Sequence, residues 1–156
     1  MLQVDIPGQG VLKLKHIVLD FNGTFALDGA VLPGVVERLN SIAENLDVHI
    51  FTADTFGTAR EACAALRCVI KVVSREVVGP EKERYVEELG AANVVAVGNG
   101  ANDVLMLRRA ALGILVLGPE GTAAEALHAA DVVVKDINDG LDLLVNPKRL
   151  VATLRR

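Results

Sequence analysis

The sequence predicts an α/β protein: a three-layer α/β/α sandwich on a mainly parallel, Rossmann-like sheet, capless apart from a short β-hairpin flap. Three observations carry this. Short runs rich in Val and Ile recur along the chain, amphipathic helical stripes fill the gaps between them, and several of the runs end in small, polar or glycine-bearing turns. Strands buried on both faces read as continuous apolar runs, and regular alternation of strand and helix gives right-handed crossovers that cover both faces of a sheet.

The elements follow in order. Residues 11–15 alternate apolar and charged after Pro7-Gly8-Gln9-Gly10, which predicts an amino-terminal hairpin at about residues 1–15. His16-Ile-Val-Leu-Asp20 is the first buried strand. Residues 25–33, with Asp28-Gly29 at their centre, predict the small hairpin flap over the crevice. Val35, Val36, Leu39, Ile42, Ala43 and Leu46 form one helical stripe. Residues 48–52, 69–73, 94–97, 113–117 and 132–134 are expected as strands covered on both faces, with helices over 81–89, 102–110 and 122–129. Pro147 opens a last helix through Leu154, and Lys148, Arg149, Arg155 and Arg156 read as its solvated basic end.

At 156 residues with 51% apolar content, the chain is expected to be a single domain, 1–156, with enough apolar side chains for a substantial core. A net charge of -4 and 3% aromatics argue against nucleic acid, which calls for a basic stripe or stacking platforms. Cys63 and Cys68 lack a metal or redox spacing and read as small apolar residues in a reducing compartment. The first residues have no basic and apolar leader pattern, and no apolar run is long enough to span a bilayer. The expectation is a cytoplasmic protein with no membrane partner. His16, His49 and His128 share no ligand spacing and are expected to be structural or exposed.

Asp20 leaves the first buried strand and meets Phe-Asn-Gly-Thr-Phe25 at once. Open parallel sheets bind ligands just beyond their strands' carboxyl ends, so Asp20 is expected to project into the crevice. A carboxylate there can attack phosphorus and form an aspartyl-phosphate, while the Gly23 and Thr24 amides and the Thr24 hydroxyl offer hydrogen bonds to phosphate oxygens. Taken alone, the same residues read as an Asp that ends a strand and caps a turn.

Three further segments supply what phosphoryl transfer needs. Phe51-Thr-Ala-Asp-Thr55 places a hydroxyl and a carboxylate at the next strand's end, where Thr52, with Ala53 beside it, would hold a phosphate oxygen and Asp54 would cap the following helix. Gly79-Pro-Glu-Lys82 puts a lysine in the expected first turn of a helix, where the macrodipole disfavours a cation unless an anion lies alongside. Val97-Gly-Asn-Gly-Ala-Asn-Asp-Val-Leu-Met106 is a strand, a glycine-rich turn, a polar Asn102-Asp103 pair and an apolar helix, an oxygen-rich rim suited to hydrated Mg²⁺. It is not a dinucleotide fingerprint, because Asp103 occupies the place of the last glycine. Each segment alone is an ordinary helix start or solvated charge; their combination in one chain points to a site.

Together these segments resemble a phosphohydrolase of the haloacid dehalogenase superfamily, and within it the phosphorylation domain of P-type ATPases and soluble ATPase-like phosphatases. The likeness runs from His16 to the carboxyl terminus through Asp20-Phe-Asn-Gly-Thr24, Thr52-Ala-Asp54, Pro80-Glu-Lys82, Gly98-Asn-Gly-Ala-Asn-Asp103 and Ala129-Ala-Asp-Val-Val-Val134. It implies a nucleophile at Asp20, a phosphate ligand at Thr52, charge neutralisation at Lys82 and Mg²⁺ support from Asp103, with the Asn22 main-chain carbonyl as a further metal ligand. Asn102 joins the phosphate-binding set by the same likeness. The ATPases' large nucleotide-binding insertion and membrane helices have no counterpart here, so an ion pump is excluded. Without a cap, the crevice would lie open to large substrates unless subunits of a homo-oligomer cover one another.

Two departures from the superfamily bear on mechanism. Asn22 stands where an Asp usually serves as general acid and base, and an amide cannot shuttle a proton at neutral pH. Slow hydrolysis and a long-lived phosphoenzyme are the expectation. Asn99 stands where a metal-binding Asp is usual, leaving Asp20 and Asp103 as the carboxylates of the metal set Asp20, Asn22, Asn99 and Asp103; metal binding is expected to be weaker without phosphate. The leading expectation is a Mg²⁺-dependent phosphatase acting on a small phosphorylated substrate. The alternatives are a non-catalytic or regulatory phosphate-binding module and, third, a receiver-like phosphoacceptor, whose motifs come in another order.

Overall fold

The computed structural model describes residues 1–54 and 57–156, so Thr55, which closes the Thr52 motif, lies outside the described residues. A hairpin of β1 (Leu2–Ile6) and β2 (Gly10–Leu14) leads into β3 (His16–Asp20). A minimal hairpin, β4 (Ala26–Leu27) and β5 (Ala30–Val31), follows at once, and α1 (Val35–Ile42), β6 (Asp47–Thr52), α2 (Thr58–Ala62), β7 (Val69–Val72) and α3 (Val78–Glu88) continue the chain. The rest comprises β8 (Val94–Gly98), α4 (Val104–Arg109), β9 (Leu112–Val116), β10 (Val132–Val134), α5 (Ile137–Val145) and α6 (Pro147–Leu154).

Six parallel strands make the central sheet in the order β10-β9-β8-β3-β6-β7, the architecture the sequence predicts. Side chains alternate across the pleat and divide the core in two. Ile17, Leu19, Val48, Ile50, Val95, Val97 and Ile114 face α1, α2, α5, α6 and the amino-terminal hairpin. Val18, Phe51, Ala96 and Leu115 face Val86 of α3 and Met106 and Leu107 of α4. On the first side, Arg38 of α1 grips Asp142 of α5 through both carboxylate oxygens, at 2.7 and 3.3 Å, a forked geometry that favours arginine over lysine. No helix among the described residues is long and apolar enough to cross a membrane.

Register sets the site. Asp20 lies opposite Phe51 and Leu19 opposite Val97, so the carboxyl ends of β3, β6 and β8 finish side by side. The β4–β5 turn uses Asp28 at φ 50° and Gly29 at φ 83°, the left-handed pair that a two-residue hairpin requires.

Several expectations need correction. β7 is an edge strand, with Val69 53% and Val72 43% exposed, so it is not covered on both faces: it has a strand neighbour on one side only, and its length is short. α3 begins at Val78, three residues earlier than expected, because a proline in the first turn has no intrahelical hydrogen bond to lose. Residues 122–129 supply only a 3-10 turn at Ala124–His128, and Ala101–Asp103 is a 3-10 turn preceding α4. α2 is the helix expected after Asp54, and α5 is additional to the expected helices. α5 has a readable signal, since Asp136 accepts a hydrogen bond from Asn138 N as N-cap and Ile137, Leu141 and Leu144 recur at helical spacing.

Gly113 of β9 tests how tightly this sheet meets its helices. A Cβ there would fall 2.6 Å from Leu107 O and 3.3 Å from Ala130 Cα, both backbone. Gly113→Ala is expected to cost about 1–3 kcal/mol, read as a lower urea midpoint with an unchanged slope.

Candidate active site

The loop after β3 is anchored by its aromatic residues. Phe21 and Phe25 are buried edge to face, with ring centroids 5.2 Å apart. Three successive amides, of Thr24, Phe25 and Ala26, donate to Phe21 O, at 3.3, 3.2 and 3.1 Å, and Gly23 N donates to Ala26 O at 2.8 Å. The Gly23 and Thr24 amides therefore close the turn, which corrects the expectation that they are free to meet a phosphate. Asp20, at the strand end, keeps 17% of its side chain exposed. The Thr24 hydroxyl is fully buried, 3.1 Å from Asn99 Oδ1 and 3.5 Å from Asp20 Oδ2.

Lys82 reaches this loop from the second turn of α3, not the first, and it is 1% exposed. Its ammonium meets Asp20 Oδ1 at 2.6 Å, Asp103 Oδ1 at 2.7 Å and Asn102 Oδ1 at 3.3 Å, which uses all three of its protons. Asp103 is wholly buried, and its other oxygen accepts the Asn99 and Gly100 amides, each at 2.9 Å. Gly98 makes room for it, since a Cβ there would sit 2.5 Å from the Asp103 carboxyl carbon. Thr52, also buried, accepts from Asp54 N at 3.0 Å through its hydroxyl oxygen and retains its proton to donate. Asp54 caps α2 as expected, accepting from Ala59 N at 2.9 Å and from the Thr58 hydroxyl.

The structure thus brings Asp20, Thr24, Lys82, Asn99, Asn102 and Asp103 into one contiguous cluster, beside Thr52 and Ala53 on the neighbouring strand end. The Asn22 side-chain oxygen accepts from Gly29 N at 3.0 Å and ties the loop after β3 to the flap's tip. Asn99 is engaged at both ends, its amide nitrogen donating to Gly121 O at 3.1 Å. The sequence reading missed Glu120, whose carboxylate lies against Gly23. No periodicity or motif marks it. His16 and His49 meet with ring nitrogens 3.3 Å apart, and His49 also contacts the Tyr85 hydroxyl at 3.0 Å; none of these residues contacts the cluster's polar groups.

Burial is the largest influence on Asp20 and raises its pKa from 3.8 to about 6; the Asp103 charge adds to this, and the Lys82 ammonium opposes it. For Lys82, burial works against the charged form, but Asp103 and Asp20 outweigh it and hold its pKa above the ordinary value. With two carboxylates and one ammonium the cluster carries a formal charge near -1, which favours a cation at its open side.

No protein-family model matches the chain. Among curated proteins, an uncharacterised protein of Methanocaldococcus jannaschii is 49% identical over 90 residues, covering 53% of this chain and 97% of that protein. A Mycobacterium leprae protein named "Probable cation-transporting ATPase I" is 37% identical over 107 residues, 65% of this chain but only 6% of the ATPase. Phosphoserine phosphatase of Archaeoglobus fulgidus is 41% identical over 76 residues, 45% of this chain and 19% of that enzyme. In structure, 3-deoxy-D-manno-octulosonate 8-phosphate phosphatase of Moraxella catarrhalis, crystallised with magnesium and phosphate ions, superposes with a TM-score of 0.69 at 15% identity, over 91% of this chain and 94% of that one. A haloacid dehalogenase-like hydrolase of Bacillus subtilis gives 0.59 at 14% identity, over 98% and 93%. The chain has the fold of haloacid dehalogenase-like hydrolases. The chain corresponds to a small fraction of the ATPase and phosphoserine phosphatase relatives.

The raised Asp20 pKa has a consequence for stability. The folded carboxyl holds its proton to higher pH than the unfolded one, so stability is greatest below about pH 4 as far as this group is concerned and falls as pH rises through about 6. Asp20→Asn removes that loss. The variant is expected to be more stable than the native chain by about 1–3 kcal/mol at pH 7, with the difference closing toward pH 4, measured by urea unfolding at both pH values.

Proposed function

We propose that the chain is a Mg²⁺-dependent phosphatase that hydrolyses small phosphorylated substrates through an aspartyl-phosphate on Asp20. The observation that carries this reading is the buried Lys82 ammonium held between Asp20 Oδ1 and Asp103 at 2.6 and 2.7 Å, with the second Asp20 oxygen 3.5 Å from the Thr24 hydroxyl. One carboxylate oxygen is pinned and the other is left to react. The superfamily's phosphatases, among them the Archaeoglobus and Moraxella enzymes, support the reaction class.

The residues present fit a hard divalent cation. The donors around the cluster are oxygens throughout: the Asp20 carboxylate through the oxygen that does not attack, the Asn22 main-chain carbonyl and Asn99 Oδ1 would hold Mg²⁺, while Asp103, whose oxygens are taken by Lys82 and two amides, would balance charge rather than join the metal set expected from the sequence. Among the described residues no ready-made group of three or more His, Cys, Asp or Glu ligands is present, which suits a cation held together with substrate phosphate. When bound, Mg²⁺ would neutralise phosphoryl charge and help to orient it.

The chain's own groups account for the rest. Asp20 Oδ2 attacks phosphorus in line, the bond from phosphorus to the leaving-group oxygen breaks, and the phosphoryl group is left on the carboxylate. Lys82 keeps the nucleophile oriented and counters the growing charge, and the Thr52 hydroxyl, with Asn102 and the Ala53 position, would hold the phosphoryl oxygens. Attack by water on the acyl phosphate then frees Asp20 and releases inorganic phosphate. Asn22 can take up no proton in either half, so leaving groups that depart as stable anions are favoured and the phosphoenzyme persists.

Phosphate release from an aryl phosphate, with and without Mg²⁺ and with acid quenching to trap phosphoprotein, tests this reading. Turnover is expected only with Mg²⁺ and not in Asp20→Asn; absence of both turnover and phosphoprotein in the native chain would favour a phosphate-binding module instead. Asn22→Asp retains an acceptor for Gly29 N and adds a proton carrier. It is expected to raise turnover of an alkyl phosphate by about 10²-fold or more, and that of an aryl phosphate by less.

A further inference from the structure

The turn after β9 lies directly across the catalytic loop. Gly121 N donates to Gly118 O at 2.9 Å, and Ala123 N donates to Asn99 O at 3.1 Å, so residues 118–121 form a tight turn tied to the β8 loop. Gly118 is packed so closely on the catalytic loop that a Cβ there would fall 2.7 Å from Gly23 O. Glu120, the third residue of this turn, sends its side chain the same way. A Cβ built on Gly23 would fall 2.4 Å from Glu120 Oε2 and 2.7 Å from Asn99 Nδ2. Gly23 has φ 83°, so its own backbone also calls for glycine, and the missing side chain leaves the space in which Glu120 and Asn99 approach each other.

Glu120 has no hydrogen-bond or ion-pair partner among the described residues, although it extends over a loop rather than into solvent alone. The other acidic oxygens of the site are largely committed: Asp103 to Lys82 and to two amides, and Asp20 Oδ1 to Lys82. Asn99 brings an amide where a carboxylate would add charge, and that amide already bonds Thr24 and Gly121. Resting on the metal-dependent reading above, we propose that Glu120 supplies a carboxylate to the divalent cation at Asp20, directly or through a bound water, in place of the acidic side chain that position 99 lacks. The negative charge arrives from a different strand's turn and passes over Gly23.

Mn²⁺ titrated into the full chain, with bound and free ion distinguished by electron paramagnetic resonance, tests this without turnover. The titrations are run with and without saturating inorganic phosphate. Glu120→Gln is expected to weaken Mn²⁺ binding about 10-fold or more, with an unchanged melting temperature because the residue is exposed. Glu125→Gln, an exposed glutamate on the following 3-10 turn, is expected to bind as the native chain does. Adding Asn99→Asp to Glu120→Gln is expected to recover most of the lost affinity by restoring a carboxylate from the other side. Equal binding by Glu120→Gln and the native chain would overturn the role of Glu120 while leaving the phosphatase reading intact. No Mn²⁺ binding by the native chain, with or without phosphate, would overturn both.

Discussion

The site depends on one ammonium group. Lys82 is sealed from water and satisfied by three oxygens from two different loops, so α3, the end of β3 and the turn before α4 are fixed relative to one another by a single side chain. Removing the ammonium itself would leave Asp20 and Asp103 as buried carboxylates with no counter-charge, commonly at a cost of about 3–5 kcal/mol. The arrangement is poor as a device for stability alone, since well-packed apolar residues can fill such a space at least as favourably. Its value lies in what it does to Asp20, which is held in one orientation, kept partly exposed and pushed toward protonation by the same burial.

That constraint explains why neighbouring residues are small or polar. Asp103 can accept Lys82 and two amides only because Gly98 carries no Cβ, and those amide bonds in turn shape the Asn99–Gly100 turn. Thr24 can bridge Asp20 and Asn99 only because the loop after β3 doubles back on Phe21 O, which spends the Gly23 and Thr24 amides internally. The loop is stiff by construction. Its two buried aromatic rings anchor it to the side of the sheet where α1 and α5 lie, while Lys82 approaches from the opposite layer, so Asp20 sits where the two halves of the core meet.

Much of this is legible in the sequence, because buried parallel strands and the turns beyond them leave local signatures. The Val- and Ile-rich runs locate the central strands, and Asp20, Thr52 and Asp103 each follow a run that can be read directly. Contacts between distant residues are not legible. The pairing of Lys82 with Asp20 spans 62 positions and that of Arg38 with Asp142 spans 104, and no periodicity encodes either. The exposure of β7 follows from its place at the sheet edge, which composition does not reveal, since Val69 and Val72 look like core residues. Glu120 escapes a sequence reading because its significance comes from a missing side chain at position 23, on another strand's loop.

Asn22 shows how a departure in sequence can be misjudged when only its chemistry is weighed. From the sequence it is a loss, an amide in the place of a proton carrier. In the structure its oxygen accepts from Gly29 at the flap's left-handed turn, and its backbone forms a bridge with Ala26 at the flap's base, so residue 22 fastens the hairpin at both ends. A carboxylate could accept the same bond, but it would change its affinity for the Gly29 amide whenever its protonation changed, and the flap's hold on the loop would vary with the reaction it serves. An amide does not titrate. On the phosphatase reading proposed above, the chain would give up proton transfer at this position and gain a flap whose attachment stays the same before phosphorylation, during it and after.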